Sequence, residues 1–148
     1  MAEQEQKKQS FADLLYAYKN RLIEPPGVAK LIGIDIIDVN PKEGSAVFSM
    51  YADKRHHNPI GTLHGGIFCD LADAAMGMAF ASTLQPEESF TTLNLQINFL
   101  KSIVEGKITA SASMVKRGKS IGYLECNIED DKGNLLAKST STCTVLRK

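Results

Sequence analysis

Between about Leu63 and Leu84 the chain carries a helical stretch that is apolar on nearly every side. At about 100° per residue, Ile67, Phe68, Leu71, Ala75 and Met78 form one apolar face. The opposite side carries Cys69, Asp73, Met76, Gly77 and Phe80, which is apolar too, apart from one carboxylate. A helix of this kind must be covered on more than one side, so the rest of the chain has to supply the cover. Most of that remainder reads as strand. Ile32 to Val39 and Ala46 to Tyr51 precede the helix, separated by the turn residues Asn40 to Gly44. After it, Phe90 to Leu100 alternates, with Leu93, Leu95, Ile97 and Phe99 on one face and Thr92, Asn94, Gln96 and Asn98 on the other. Three further strands follow, near Lys107 to Met114, Ile121 to Ile128 and Leu135 to Leu146. Hairpin and turn residues at 116–119 and 130–134 join them, and short turns imply antiparallel pairing. The expected class is α+β, with an antiparallel sheet curled around a long central helix.

Ahead of this unit, Phe11, Leu14, Leu15, Tyr18 and Leu22 recur at helical spacing until Pro25-Pro26-Gly27 stops the pattern. Residues 1–26 therefore read as an N-terminal helical extension to a domain spanning 27–148, with a short helical turn near Val28 to Leu31. A chain of 148 residues is one domain's worth and can bury a core without disulfides. Its 17 basic residues balance its 17 acidic ones, which argues against nucleic-acid and membrane-surface partners. Cys69, Cys126 and Cys143 are odd in number and lack metal-ligand spacing, so reduced thiols in a cytoplasmic protein are expected. The first ten residues are polar and no stretch of about 20 apolar residues occurs, so neither a signal peptide nor a membrane span is expected.

The chemistry concentrates in the run from His57 to Asp73. Gly65-Gly66 stand where a polar loop becomes the central helix. Backbone N–H groups at a helix start are unpaired and carry the positive end of the helix dipole. Glycines there let a ligand approach the backbone, although they also permit tight packing against a strand. Asp73 has Cys69, Met76, Gly77 and Phe80 as its helical neighbours, none of which pairs with a carboxylate. Asp70, one turn earlier, is the alternative acid. His64 is either a structural hydrogen-bonder or a direct polariser, and His56 and His57 read as surface loop residues. His56, His57, His64 and Asp73 are possible metal ligands by type, but their spacing is irregular, and no metal is expected. Cys69 reads as a small core residue, with a reactive thiol as the alternative. Met76, Met78 and Phe80 hint at an apolar pocket.

The signature Asn58-x-x-Gly61-x-x-His64-Gly65-Gly66, followed by Asp73 seven residues later, resembles the hotdog-fold acyl-CoA thioesterases, and within them the phenylacetic-acid-degradation-related group. The element order agrees from about Gly27 to Leu146. The resemblance implies hydrolysis of an acyl- or aryl-CoA thioester to a free acid and coenzyme A. No cofactor is implied, since coenzyme A is part of the substrate. Asn58 matches the polar residue near the thioester, Gly65 the residue whose N–H polarises the carbonyl, His64 the histidine supporting that loop, and Asp73 the catalytic acid. A Ser or Thr beside the attacking water matches Thr92, with Thr91 expected to point inward. Gly66 matches a steric position. The 116–119 connection, with Arg117, Gly118 and Lys119, matches the place of the CoA phosphates, where the bland reading is a solubilising hairpin. Asp73 acts as general base or as nucleophile; the sequence does not separate the two.

Two other classes stand beside this one: a hotdog acyl-CoA hydratase or dehydratase, whose Asp/His motif is not found here, and a non-catalytic acyl-CoA binding module. Gly65 and Asp73 lie eight residues apart, about 12 Å along a helix axis and rotated by about 80°. One helix does not easily present both to one carbonyl. A homodimer with shared sites is therefore expected, and the resemblance implies the same arrangement, often paired into a tetramer.

Overall fold

The computed structural model describes residues 9–147. In chain order it contains α1 (Phe11–Lys19), α2 (Gly27–Ile32), β1 (Asp35–Asn40), β2 (Ser45–Ala52), a 3-10 turn (Lys54–His56), α3 (Gly65–Ala81), β3 (Ser89–Phe99), β4 (Gly106–Arg117), β5 (Ile121–Asp130) and β6 (Leu135–Leu146). The six strands form one antiparallel sheet in the order β1-β2-β4-β5-β6-β3. Helix α3 packs against all six. Phe68, Leu71, Met76 and Phe80 from the helix join Phe48, Ile108, Leu124, Ile128 and Leu136 from the sheet in one core. This is the wrapped sheet expected of a hotdog fold.

Among the described residues four bulges help the sheet to curl. They sit between Ile36 and Asp38, between Thr92 and Asn94, between Met114 and Lys116, and on β6 between Leu135 and Ala137. Each inserts one extra residue, bends its strand and raises the local twist. The extra residues Ile37, Leu93 and Val115 are apolar yet left exposed, whereas Leu136 is buried. The strict alternation expected for 90–100 therefore breaks at Leu93, which is 59% exposed rather than inward.

The segment expected as strand from Ile32 is helix first. Pro26 caps α2 with extended backbone, and Gly33, at φ 88° in the left-handed region, ends it with its N–H on the Ala29 carbonyl. That C-terminal glycine outweighs the β-branched character of Ile32 and Ile34, and the strand begins only at Asp35. Helix α1 stops at Lys19 and α3 spans 65–81, both shorter than their apolar patterns.

Helix α1 bridges the two edges of the curled sheet. Its first residue, Phe11, makes an edge-on contact with Phe90 of β3 at 5.8 Å between ring centroids. Its last, Lys19, donates to the Asp38 carboxylate of β1 at 2.7 Å. Between them, Leu15 and Ala17 are buried. Among the described residues no helix is long and apolar enough to cross a membrane.

Candidate active site

The loop leading into α3 is tied down residue by residue. His56 is buried, not on the surface as its polar surroundings led one to expect, because it bolts the loop to α2. Its Nδ1 accepts from the Asp53 backbone N–H at 3.2 Å, which leaves Nε2–H to donate to the Ile32 carbonyl at 2.9 Å. His57 Nε2 lies 2.7 Å from the Val104 carbonyl. The Asn58 side chain is occupied within its own turn: Oδ1 accepts from the Ile60 and Thr62 N–H groups, and Nδ2 donates to the Thr62 hydroxyl. The structure thus gives Asn58 a loop-shaping task.

This loop delivers the start of α3 with its N-terminal groups open. His64 is the N-cap and supplies no side-chain cap. Among the described residues neither the Gly65 nor the Gly66 N–H has an acceptor. Such groups, with the helix dipole behind them, attract negative charge. The glycines are there for space. A Cβ on Gly66 would lie 3.1 Å from the His64 ring, and one on Gly65 would lie 3.0 Å from Phe99. His64 is exposed, folded over Gly66.

Farther along, Asp70 and Asp73 stand on the one flank of α3 that the sheet leaves uncovered. The Thr92 hydroxyl donates to Asp73 Oδ1 at 3.0 Å. Oδ2 of Asp73 has no hydrogen-bond partner among the described residues. Thr92 rather than Thr91 makes this contact, but for a different reason than polar alternation. The bulge at Leu93 reverses the strand's parity, so Thr92 shares the helix-facing side with Phe90, while Thr91 is exposed. Burial and then the neighbouring Asp73 push the Asp70 carboxyl above its ordinary pKa, with His64 pulling the other way. The Cys69 thiol is raised as well, by burial first and then by Asp70 and Asp73, so it stays protonated and is a poor nucleophile.

A cleft of about 550 Å³ adjoins these carboxylates. Asp70, Asp73, Ala74 and Met78 form one wall, and residues of α1, α2, β1 and the linker between the helices form the others. Of the three residues that hinted at a pocket, only Met78 lines it; Met76 and Phe80 are fully buried in the core. The contribution of residues 15–29 is the part that sequence reasoning missed. Its one signal was the apolar stripe of α1, which marks a buried face without saying what that face encloses.

The 116–119 hairpin lies elsewhere. Arg117 stacks over the Phe80 ring at 4.8 Å and donates to the Thr83 hydroxyl at 3.1 Å. It also donates to the Gly118 carbonyl. Phe80 is fifteen residues from Gly65, about 22 Å along the helix. Within one protomer, then, Arg117, Gly118 and Lys119 sit at the far end of α3 from His64, Gly65 and Gly66. No cluster of three or more metal-ligating side chains occurs among the described residues.

Comparison with known proteins gives the chain's relatives. The family model described as the thioesterase superfamily matches residues 60–137. The chain is 34% identical over 122 residues to a 1,4-dihydroxy-2-naphthoyl-CoA hydrolase of Listeria monocytogenes serotype 1/2a (strain 10403S), covering 82% of this chain and 98% of that protein. A phenylacetic acid degradation-related protein from Ralstonia eutropha JMP134 superimposes with a TM-score of 0.80 at 28% identity, covering 88% of this chain and 98% of the other. The E. coli PaaI protein from the phenylacetic acid degradation operon superimposes with a TM-score of 0.77 at 26% identity, covering 93% and 96%.

Proposed function

The chain belongs to the thioesterase superfamily, and on that premise we propose that it hydrolyses an acyl- or aryl-CoA thioester to a free acid and coenzyme A in the cytoplasm. The observation that carries this reading is the Asp73–Thr92 pair. Thr92 holds one carboxylate oxygen and leaves the other open on the uncovered flank of α3. In the proposed reaction Asp73 takes a proton from water as the water oxygen bonds to the thioester carbon. The carbonyl oxygen becomes an oxyanion facing the Gly65 N–H at a helix start, where the dipole favours negative charge. Collapse breaks the C–S bond, and the departing thiolate takes the proton that Asp73 received. The step needs no cofactor. The Listeria relative is named for hydrolysis of an aryl-CoA, which supports the same reaction class here.

The site is completed by a second copy of the chain. Gly65 and Asp73 lie about 12 Å apart along one helix axis. Among the described residues strand β3 is a sheet edge bonded to β6 alone, and it exposes Leu93, Phe99 and the adjoining Leu100. Edge-to-edge pairing of two β3 strands would continue the sheet and lay two α3 helices antiparallel. That brings Asp73 of one protomer to Gly65 of the other, with His64 and Gly66 shaping the loop around the carbonyl. Further pairing of dimers gives a tetramer. The CoA phosphates are received by the 116–119 hairpin, chiefly through Lys119 and Lys116, since Arg117 is committed to Phe80 and Thr83.

Free-thiol release from a panel of acyl-CoA thioesters, read with a thiol dye, tests the reaction. Binding without release would identify a binding module, and a change in enoyl absorbance without release a hydratase. Co-expression of Gly65→Pro and Asp73→Asn tests the shared site. Each variant alone is expected to be nearly inactive, and random pairing should restore roughly a quarter of wild-type activity in an isologous dimer. No recovery despite mixed dimers confirmed by mass would place the whole site in one chain.

A further inference from the structure

We propose that the cleft beneath α1 is the acyl-group pocket and that α1, the linker after it and α2 form the wall that sets acyl size; this rests on the thioester-hydrolase reading above. The cleft starts at the reacting carboxylate, since Asp73 is part of its lining. From there its surface is mainly apolar, with Leu15, Ile23, Val28, Phe48, Ala74 and Met78 among its residues. Ligand pockets for small molecules span roughly 300–1,000 Å³ and are mostly apolar with a few polar groups. A volume of about 550 Å³ falls within that range and is far more than an acetyl group fills. The chemistry selected is a bulky apolar acyl group, either ring-bearing or of medium chain length.

The wall is held in place. Its helix is anchored at one end by the Phe11–Phe90 contact on β3 and at the other by the Lys19–Asp38 ion pair on β1. The chain then turns sharply at Arg21, whose φ of 56° lies in the left-handed region that non-glycine residues seldom occupy. Pro25-Pro26 stiffens the return into α2. A surface helix that only capped the core would need burial of Leu15 and Ala17 alone. Here the linker and α2 stand off from α3 and leave the space open beside Asp73. Tyr18, Lys19 and Arg21 also line the cleft on the α1 side, and Arg21 has no ion-pair partner among the described residues.

Val28 gives the test. It is 57% exposed on α2 and lines the cleft, so Val28→Trp fills space without disturbing the core. The readout is kcat/KM for 2-naphthoyl-, benzoyl- and decanoyl-CoA, each divided by that for acetyl-CoA. This ratio is blind to the fraction of protein that folds. We expect wild type to favour the bulky substrates and Val28→Trp to lower the naphthoyl or decanoyl ratio at least about tenfold, in the range that shape changes in an apolar pocket produce. Whichever ratio falls more identifies ring or chain as the better occupant. Tyr16→Ala, on the outward face of α1 and not in the lining, should leave the ratios unaltered. Release from the panel with ratios unchanged in Val28→Trp overturns the wall alone, and dissociation of the oligomer with unchanged ratios marks the cleft as a contact between copies. No thiol release from any member by wild type overturns the thioesterase reading and the wall with it.

Discussion

From Gly65 to Asp73, helix α3 is open along one flank: Gly66, Asp70 and Asp73 are exposed, and the first two N–H groups have no acceptor among the described residues. From Ala74 to Ala81 the same helix is buried except at Ala74 and Met78, which line the cleft. Its C-terminal carbonyls are met instead of left open. The Ser82 hydroxyl donates to the Ala79 carbonyl at 2.8 Å and the Thr83 hydroxyl to the Phe80 carbonyl at 2.7 Å. Arg117 then closes over Phe80. One helix thus divides its work by position. The half with unmet polar groups costs stability and offers chemistry, whereas the half with satisfied groups anchors the sheet.

Substitutions in the two halves should therefore fail in different assays. The largest effect is expected for Asp73→Asn, which is nearly isosteric but accepts no proton. It should lower kcat by about 100- to 10,000-fold and keep Tm within about 2 °C of wild type. Near-normal turnover, with Asp70→Asn inactive, would move the acid one turn earlier. Next comes Gly65→Pro. Proline is tolerated at the first helical position, and His64, at ψ 135°, already has the backbone that precedes proline. Loss of this one N–H should reduce kcat by about 100- to 1,000-fold. Gly65→Ala carries the same Cβ against Phe99 but keeps the N–H, and should lose far less.

The second half should respond oppositely. A Cβ on Gly122 would lie 2.5 Å from the Phe80 ring. Gly122→Ala should accordingly cost about 1–3 kcal/mol of stability, seen as a lower midpoint in urea, with kcat of the folded fraction unchanged. A loss of kcat at full stability would erase the division between the halves. Lys119→Ala, at the hairpin near the closed end, should raise KM for acyl-CoA about threefold to tenfold with little change in kcat. A truncated thioester lacking the nucleotide should be indifferent to it. The smallest effect is expected at Asp70. Its raised pKa means that the folded state holds this proton to higher pH than the unfolded chain does. The resulting penalty is absent in acid and appears as pH rises through the window just above the ordinary carboxylate value. Asp70→Asn should match wild type at low pH and exceed its Tm by about 1–2 °C at pH 7.

The periodicity of the central helix was enough to demand a wrapping sheet, because a helix apolar on nearly all sides has no other economical cover. The turn residues then set the strand count. Gly65, Gly66 and Asp73 were visible as residue types at telling positions, Thr92 entered through the family resemblance, and the structure brings Asp73 and Thr92 together. What remained hidden depends on geometry that local pattern does not carry. A bulge leaves no hydropathy mark when its extra residue is as apolar as Leu93. His56 is polar by type but buried by its two backbone partners. The cleft is formed by residues nearly sixty positions apart in sequence, such as Leu15 and Asp73, whose meeting depends on how α1 spans the sheet edges.

The bulge in β3 has a consequence in the currency of insertions and deletions. Side chains alternate along a strand, so a single residue gained or lost exchanges inside for outside for everything beyond it. With Leu93 looped out, Thr92 faces Asp73. In a regular strand of the same sequence with 94–99 held in register, Leu93 would take that place and Asp73 would lose its donor. Deletion of Leu93 would remove the bulge and leave Thr92 where it is, so the position tolerates the loss of one residue but not the straightening of the strand with Leu93 in place.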